Sequence, residues 1–156
     1  MTTQFLREVS VFKDLSEDEL NALKDIWTFK HVAPRECIVA EGDLMHEFFI
    51  VGDGAVHVRR HNRDHEVLLA RIGRGGFFGE MNLFAEANAT ASVYSMGEVR
   101  LVTTPNETLR DFMAGRPDIG YKITAALLHE VSARLRHTNE RLVNALFWPG
   151  DHPSEH

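Results

Sequence analysis

The sequence predicts an α+β fold that is mainly β: an antiparallel β-roll or jelly roll with N-terminal helices and one long C-terminal helix. Three observations predict it. Residues 28–104 break into short β-prone runs at spacings of roughly ten residues, punctuated by glycine turns, as antiparallel barrels and jelly rolls do. Ser16 followed by Glu19, ahead of Leu20, Leu23 and Ile26, is a capping-box pattern that opens a short amphipathic helix. Residues 118–147 contain no proline and a single glycine, Gly120, and carry apolar residues at helical spacing.

At 156 residues the chain has the length of one domain, and its 44% hydrophobic and 26% charged residues are ordinary for a globular protein that buries its own core. A single domain is expected over residues 1–150, with helices at 1–27, the β-roll at 28–104, further helices at 106–147 and a disordered tail at 148–156. The formal charge of −6 opposes general attraction to nucleic acid or anionic lipid, both of which need accumulated Lys and Arg. One cysteine, Cys37, permits no internal disulfide and supplies too few thiolates for a zinc ribbon or an iron–sulfur cluster. The first twenty residues lack a basic segment followed by an apolar stretch, and no run approaches the roughly eighteen apolar residues of a membrane span. A cytoplasmic protein that does not span a membrane is expected.

In chain order, residues 1–26 read as helical in one or two pieces. From Thr28 the pattern becomes β-prone, with Phe29, His31, Cys37, Ile38 and Val39 interrupted by Pro34 and by the turn Glu41-Gly42-Asp43. FFIV at 48–51 and the turn Gly52-Asp53-Gly54 follow. In AVHVRRH at 55–61, Val56 and Val58 alternate with His57, Arg59 and His61, the period of a strand with one wet face. A polar hairpin at Asn62–Asp64 leads into a strand from His65 to Ile72, and further strands read from Thr90 to Ser95 and from Val99 to Thr103. Glu107 to Met113 forms a short helix before the break at Arg116-Pro117-Asp118. The long helix beyond shows a seven-residue seam, Tyr121, Leu128, Leu135 and Leu142 on one line and Thr124, Val131, Thr138 and Ala145 on the other. Over its length of roughly 40 Å it exceeds what a small barrel needs as a cover. The seam therefore either packs on its own barrel or pairs helices in a homodimer. Trp148-Pro149-Gly150 stops it.

The chemistry concentrates in residues 73–95. Gly73, Gly75 and Gly76 end an apolar run, one helical turn starts at Gly79 and Glu80, and strand sequence resumes near Thr90. Such a turn leaves backbone N–H groups of residues 79–82 unpaired, an arrangement that attracts an anion.

Helices, a β-roll interrupted by GGFFGE, and a long helix together resemble the cyclic-nucleotide-binding domain, in particular the sensory half of the catabolite activator protein type of bacterial regulator. The resemblance covers about residues 10–147 and is carried by EGD at 41–43, FFIVGDGAVHV at 48–58, IGRGGFFGEMNLF at 72–84, TASV at 90–93 and RLRHTNERLVNALF at 134–147. It implies a phosphate cassette at 73–93. Gly79, Glu80, Met81 and Asn82 would present amides to a cyclic phosphate, and Glu80 would accept from a ribose hydroxyl, an acceptor-only role that suits a carboxylate. It implies too that Thr138 and Asn139 reach the base at a dimer interface, although the Thr138 hydroxyl has its own helix backbone as an equal alternative. Glu80 likewise has the plainer role of a first-turn carboxylate favoured by the helix dipole.

One position departs from the family pattern. An arginine expected nine residues after Glu80 to pair with the phosphate is Ala89 here. Losing that charge-assisted pair weakens binding by roughly ten- to several-hundred-fold. Thr90 falls where members that prefer cyclic GMP carry Thr, and Arg71 and Arg74 flank the cradle as replacement cations. The resemblance thus implies a stand-alone, non-enzymatic sensor or regulatory domain whose small anionic ligand, cyclic AMP, cyclic GMP or another anion, is weakly or unusually held. It implies no cofactor and no metal. A homodimer through the C-terminal helix and a further protein partner are expected, with no DNA reading if the chain is full length. The alternatives are a ligand-free dimerisation or interaction module on the same fold, a haem or metal sensor drawing on the nine histidines, and a cupin-type enzyme, which lacks a close inward cluster of His and Glu.

Overall fold

The computed structural model describes residues 1–147; the helix stop read at Trp148-Pro149-Gly150 and the tail read at 148–156 lie outside the described residues. Two N-terminal helices, α1 (Thr3–Glu8) and α2 (Glu17–Leu23), precede eight strands and two further helices, α3 (Asn106–Gly115) and α4 (Pro117–Phe147). The capping box forms as read: the Ser16 hydroxyl accepts from the Glu19 amide at 3.2 Å, and the Glu19 carboxylate accepts from the Ser16 amide at 3.1 Å.

The strands are β1 (Thr28–Val32), β2 (Cys37–Val39), β3 (Glu47–Asp53), β4 (Ala55–Asn62), β5 (His65–Gly73), β6 (Phe77–Phe78), β7 (Ser92–Ser95) and β8 (Val99–Pro105). They form two antiparallel four-stranded sheets, β1-β8-β3-β6 and β2-β7-β4-β5, the β-roll that the turn spacing predicts. The continuous apolar run FFIV has a simple cause. Phe48 and Ile50 face a core shared with the helices, while Phe49 and Val51 face a second core between the sheets. Phe48 stacks on Phe77 at 5.6 Å, and Phe49 on Phe78 at 4.8 Å, so both cores reach the strand just ahead of the cradle.

Two boundaries move. β7 pairs with β4 only from Ser92, opposite Arg59, because Thr90 and Ala91 lie at the mouth of a cleft rather than in the ladder. β8 runs to Pro105, where α3 begins at Asn106, whose amide donates to the His46 carbonyl at 2.7 Å.

The long helix removes one of the two readings of its seam. The seam read from the heptad spacing does not pack on the barrel: Tyr121, Leu128, Leu135 and Leu142 are 76%, 67%, 59% and 57% exposed. The buried residues of α4 are Ile119, Gly120, Ile123, Ala126 and Leu127, all in its first third. Two apolar lines run along this helix at compatible spacing, and the packed line is the shorter one. No helix among the described residues is long and apolar enough to cross a membrane.

Candidate functional site

A cleft of about 690 Å³ opens between the Gly79–Asn82 turn, the ends of β5 and β7, and the distal part of α4. Its floor depends on Gly79, which adopts φ +87°. A Cβ there would lie 2.6 Å from the Glu47 carbonyl oxygen, so any other residue would push the turn away from β3. After Gly79 the chain makes a single 3₁₀ turn, Glu80–Asn82, closed by the Asn82 and Leu83 amides. The amides of Glu80 and Met81 have no partner within the turn.

Helix α3 fixes this turn from behind. Asn106, buried at the start of α3, donates from Nδ2 to the Asn82 carbonyl at 3.2 Å, and Arg110 donates to the Leu83 carbonyl at 2.8 Å. The buried Asn82 side chain donates in turn to the Ala87 carbonyl, so it anchors the following loop while its residue lines the cleft. Met81 is exposed on the cleft wall.

Glu80 points across the cleft to α4, where its carboxylate accepts from Arg134 at 2.6 Å; the Glu80 side chain is only 11% exposed. The Arg134 guanidinium also lies 4.7 Å from the centre of the Phe77 ring, an aromatic face that holds a cation in place. The Arg134 side chain therefore joins the cradle to the long helix.

The residues expected at the phosphate end separate. Ala89 is buried in the core between the sheets, with its amide donating to the Asp43 carbonyl at 2.7 Å and its carbonyl accepting from the Gly42 amide at 2.8 Å. It does not line the cleft; Thr90, exposed beside it, does. Of these two neighbours ahead of β7, Thr90 alone lines the cleft. On α4, Thr138 lines the cleft and its hydroxyl makes no hydrogen bond among the described residues, whereas Asn139 is exposed and off the cleft.

Five basic residues line the cleft: Arg71 and Arg74, the cations that flank the cradle in sequence, and Arg134, His137 and Arg141 on α4, which the motifs do not single out. The sequence held a signal for the last three. Continued along the helix, the packed line Ile119, Ile123, Ala126 passes Glu130 and then turns basic at Arg134, His137 and Arg141. Of the two candidate replacement cations, Arg74 is engaged by Glu8 at 2.9 Å and by the Gly52 carbonyl at 2.7 Å, while Arg71 has no ion pair or hydrogen bond among the described residues. No group of three or more His, Cys, Asp or Glu side chains able to hold a metal ion occurs among the described residues.

A protein-family model described as "Cyclic nucleotide-binding domain" matches residues 29–116. The CRP-like cAMP-activated global transcriptional regulator of Mycobacterium tuberculosis is 33% identical over 111 residues, covering 70% of this chain and 48% of that protein. The matched region thus spans about half of that relative. Among solved structures, a cyclic nucleotide-binding domain from Methylobacillus flagellatus superposes with a TM-score of 0.82 at 21% identity, covering 92% of this chain and 85% of the other. The catabolite activator protein of Thermus thermophilus gives 0.79 at 24% identity, covering 88% and 63%. Both share the fold described above.

Proposed function

The chain belongs to the cyclic nucleotide-binding domain family, and from that premise we propose that it is a cytoplasmic, non-enzymatic sensor module whose cleft takes a small anionic nucleotide and reports its presence through α4. The observation that carries this reading is the Glu80–Arg134 pair across the cleft. A ribose hydroxyl donating to Glu80 competes with Arg134 for the same carboxylate, so ligand and helix position are linked. Such a link becomes a switch when the ligand binds one arrangement of α4 better than the other.

Thr90 in place of a cation makes the loop side of the site weak for a phosphate, and binding of cyclic AMP or cyclic GMP is expected to be roughly ten- to a hundredfold weaker than with an arginine there. Titration calorimetry with both cyclic nucleotides tests the reading. Saturable binding that weakens on Glu80→Gln supports it, and no binding up to millimolar concentration by either nucleotide sinks its cyclic-nucleotide version. The exposed seam Tyr121, Leu128, Leu135 and Leu142 supports self-association of two copies through α4, with the ligand altering the angle between them.

A second reading, a ligand-free interaction module on the same fold, draws support from Thr90 and from an Arg134 that already occupies Glu80. Under it, Thr90→Arg gains no nucleotide binding.

A further inference from the structure

The cations of the cleft stand in a different place from the loop where the phosphate arginine was expected. Glu80 is the one carboxylate lining it among the described residues, and Arg134 neutralises that carboxylate at 2.6 Å. Arg74, also in the lining, is paired with Glu8, so two fixed positive charges remain, Arg71 on β5 and Arg141 on α4, each without an acidic partner among the described residues. His137 lies between Arg134 and Arg141 on the helix, and Thr90 and Thr138 add hydroxyls. The Arg71 side chain folds back along its strand: Nη1 comes within 3.8 Å of where a Cβ on Gly73 would be, at the start of the glycine loop. Arg134 and Arg141 are seven residues apart, roughly 10 Å along the axis, which separates a Glu80 end from an Arg141 end of the same ligand.

A 3′,5′-cyclic nucleotide matches this poorly. Its phosphodiester carries one negative charge, and its ribose has one free hydroxyl. A phosphate monoester carries close to two charges at neutral pH, its second ionisation lying near pH 6. Two guanidiniums complement that dianion, each able to bond two of its oxygens. A nucleoside 5′-monophosphate also leaves both ribose hydroxyls free, which suits the two oxygens of an acceptor-only carboxylate.

We propose that this cleft is selective for a nucleoside 5′-monophosphate, with Arg71 and Arg141 closing on the phosphate from the two walls and Glu80 taking the ribose diol. The inference rests on the reading of this cleft as a nucleotide site and names the class of nucleotide.

The test is calorimetry at pH 7.5 with 5′-AMP, 5′-GMP, the two 3′,5′-cyclic nucleotides and inorganic phosphate. The expected result is a 5′-monophosphate bound at least about tenfold more tightly than the cyclic form of the same base. Arg71→Ala and Arg141→Ala should each weaken it by about tenfold or more while changing cyclic-nucleotide binding less. Both arginines are exposed, so thermal unfolding of the variants should match the parent. Cyclic nucleotide bound as tightly as the monoester overturns this inference and leaves the sensor reading standing. Failure of every nucleotide to bind overturns both. Inorganic phosphate bound as tightly as 5′-AMP, or a monoester preference that survives both alanine variants, also overturns it, because neither the diol nor the arginine pair is then the source of selectivity.

Discussion

The first third of α4 and its remainder are one continuous helix with opposite employment. From Pro117 to Leu127 the face turned toward the domain is apolar, and Ile119, Ile123, Ala126 and Leu127 close the core shared with α1, α2 and β3. Beyond Leu127 no residue of the helix is buried, yet the same face continues over the cleft, where it carries Arg134, His137 and Arg141. The difference teaches how one helix closes the core with its near part and covers the cleft with its far part. The near part is fixed by burial, and the far part is held at the cleft by the ion pair to Glu80 and the contact of Arg134 with Phe77.

The largest effect should come from the near part. Ile123 is fully buried, and Ile123→Ala should cost about 2–5 kcal/mol of unfolding free energy, read from denaturant titration. Leu135→Ala, the same kind of truncation on an exposed position in the far part, should lie within about 0.5 kcal/mol for the isolated chain. Equal losses would erase the distinction.

Next in size are two arginine substitutions in the loop that leads into β7. Ala89→Arg forces a long cation into the packed core between the sheets and should destabilise by about 1–3 kcal/mol from overpacking alone. Thr90→Arg, one residue on, points into the cleft and should leave stability unchanged while strengthening cyclic-nucleotide binding about ten- to a hundredfold. A stable Ala89→Arg protein with improved binding would show that the loop rotates.

This pair of neighbours marks the limit of what the sequence discloses. The strands, the capping box and the cradle are legible because alternation, cap chemistry and glycine punctuation act over a few residues. Counting from Glu80 reached Ala89 and could not reveal which of residues 89 and 90 turns inward. That is decided by the pairing of the Ala89 backbone with Gly42 and Asp43, more than forty positions away. On α4 the heptad spacing marks the exposed seam and does not separate it from the packed line, since apolar residues occur at helical spacing on both. The basic residues at 134, 137 and 141 acquire meaning only when extended from Ile119 and Ile123 along that packed line.

The exposed seam gives a smaller, concentration-dependent effect. If two copies pair through the far part, Leu135→Glu should shift sedimentation equilibrium toward monomer and leave the unfolding midpoint of the monomer unchanged. A parent protein that is monomeric at hundreds of micromolar removes that role from the seam.

The smallest expected effect returns to the near part, where the Lys122 ammonium lies 2.6 Å from the Glu19 carboxylate of α2. That hydrogen bond, first, and the Ser16 amide after it hold the Glu19 carboxyl below the usual carboxylate range. A folded-state pKa that is depressed contributes stability above the unfolded-state value, and this contribution disappears as pH falls through the folded-state value. Lys122→Met removes the larger cause. The variant should therefore be slightly less stable than the parent at neutral pH, and the two should converge as Glu19 protonates on acidification. Arg134→Met makes the matching change in the far part, where its partner Glu80 lies at the cleft and outside the folding core. Its unfolding curve at neutral pH should follow the parent, and a loss of stability there like that of Lys122→Met would show that the far part contributes to the folding core after all.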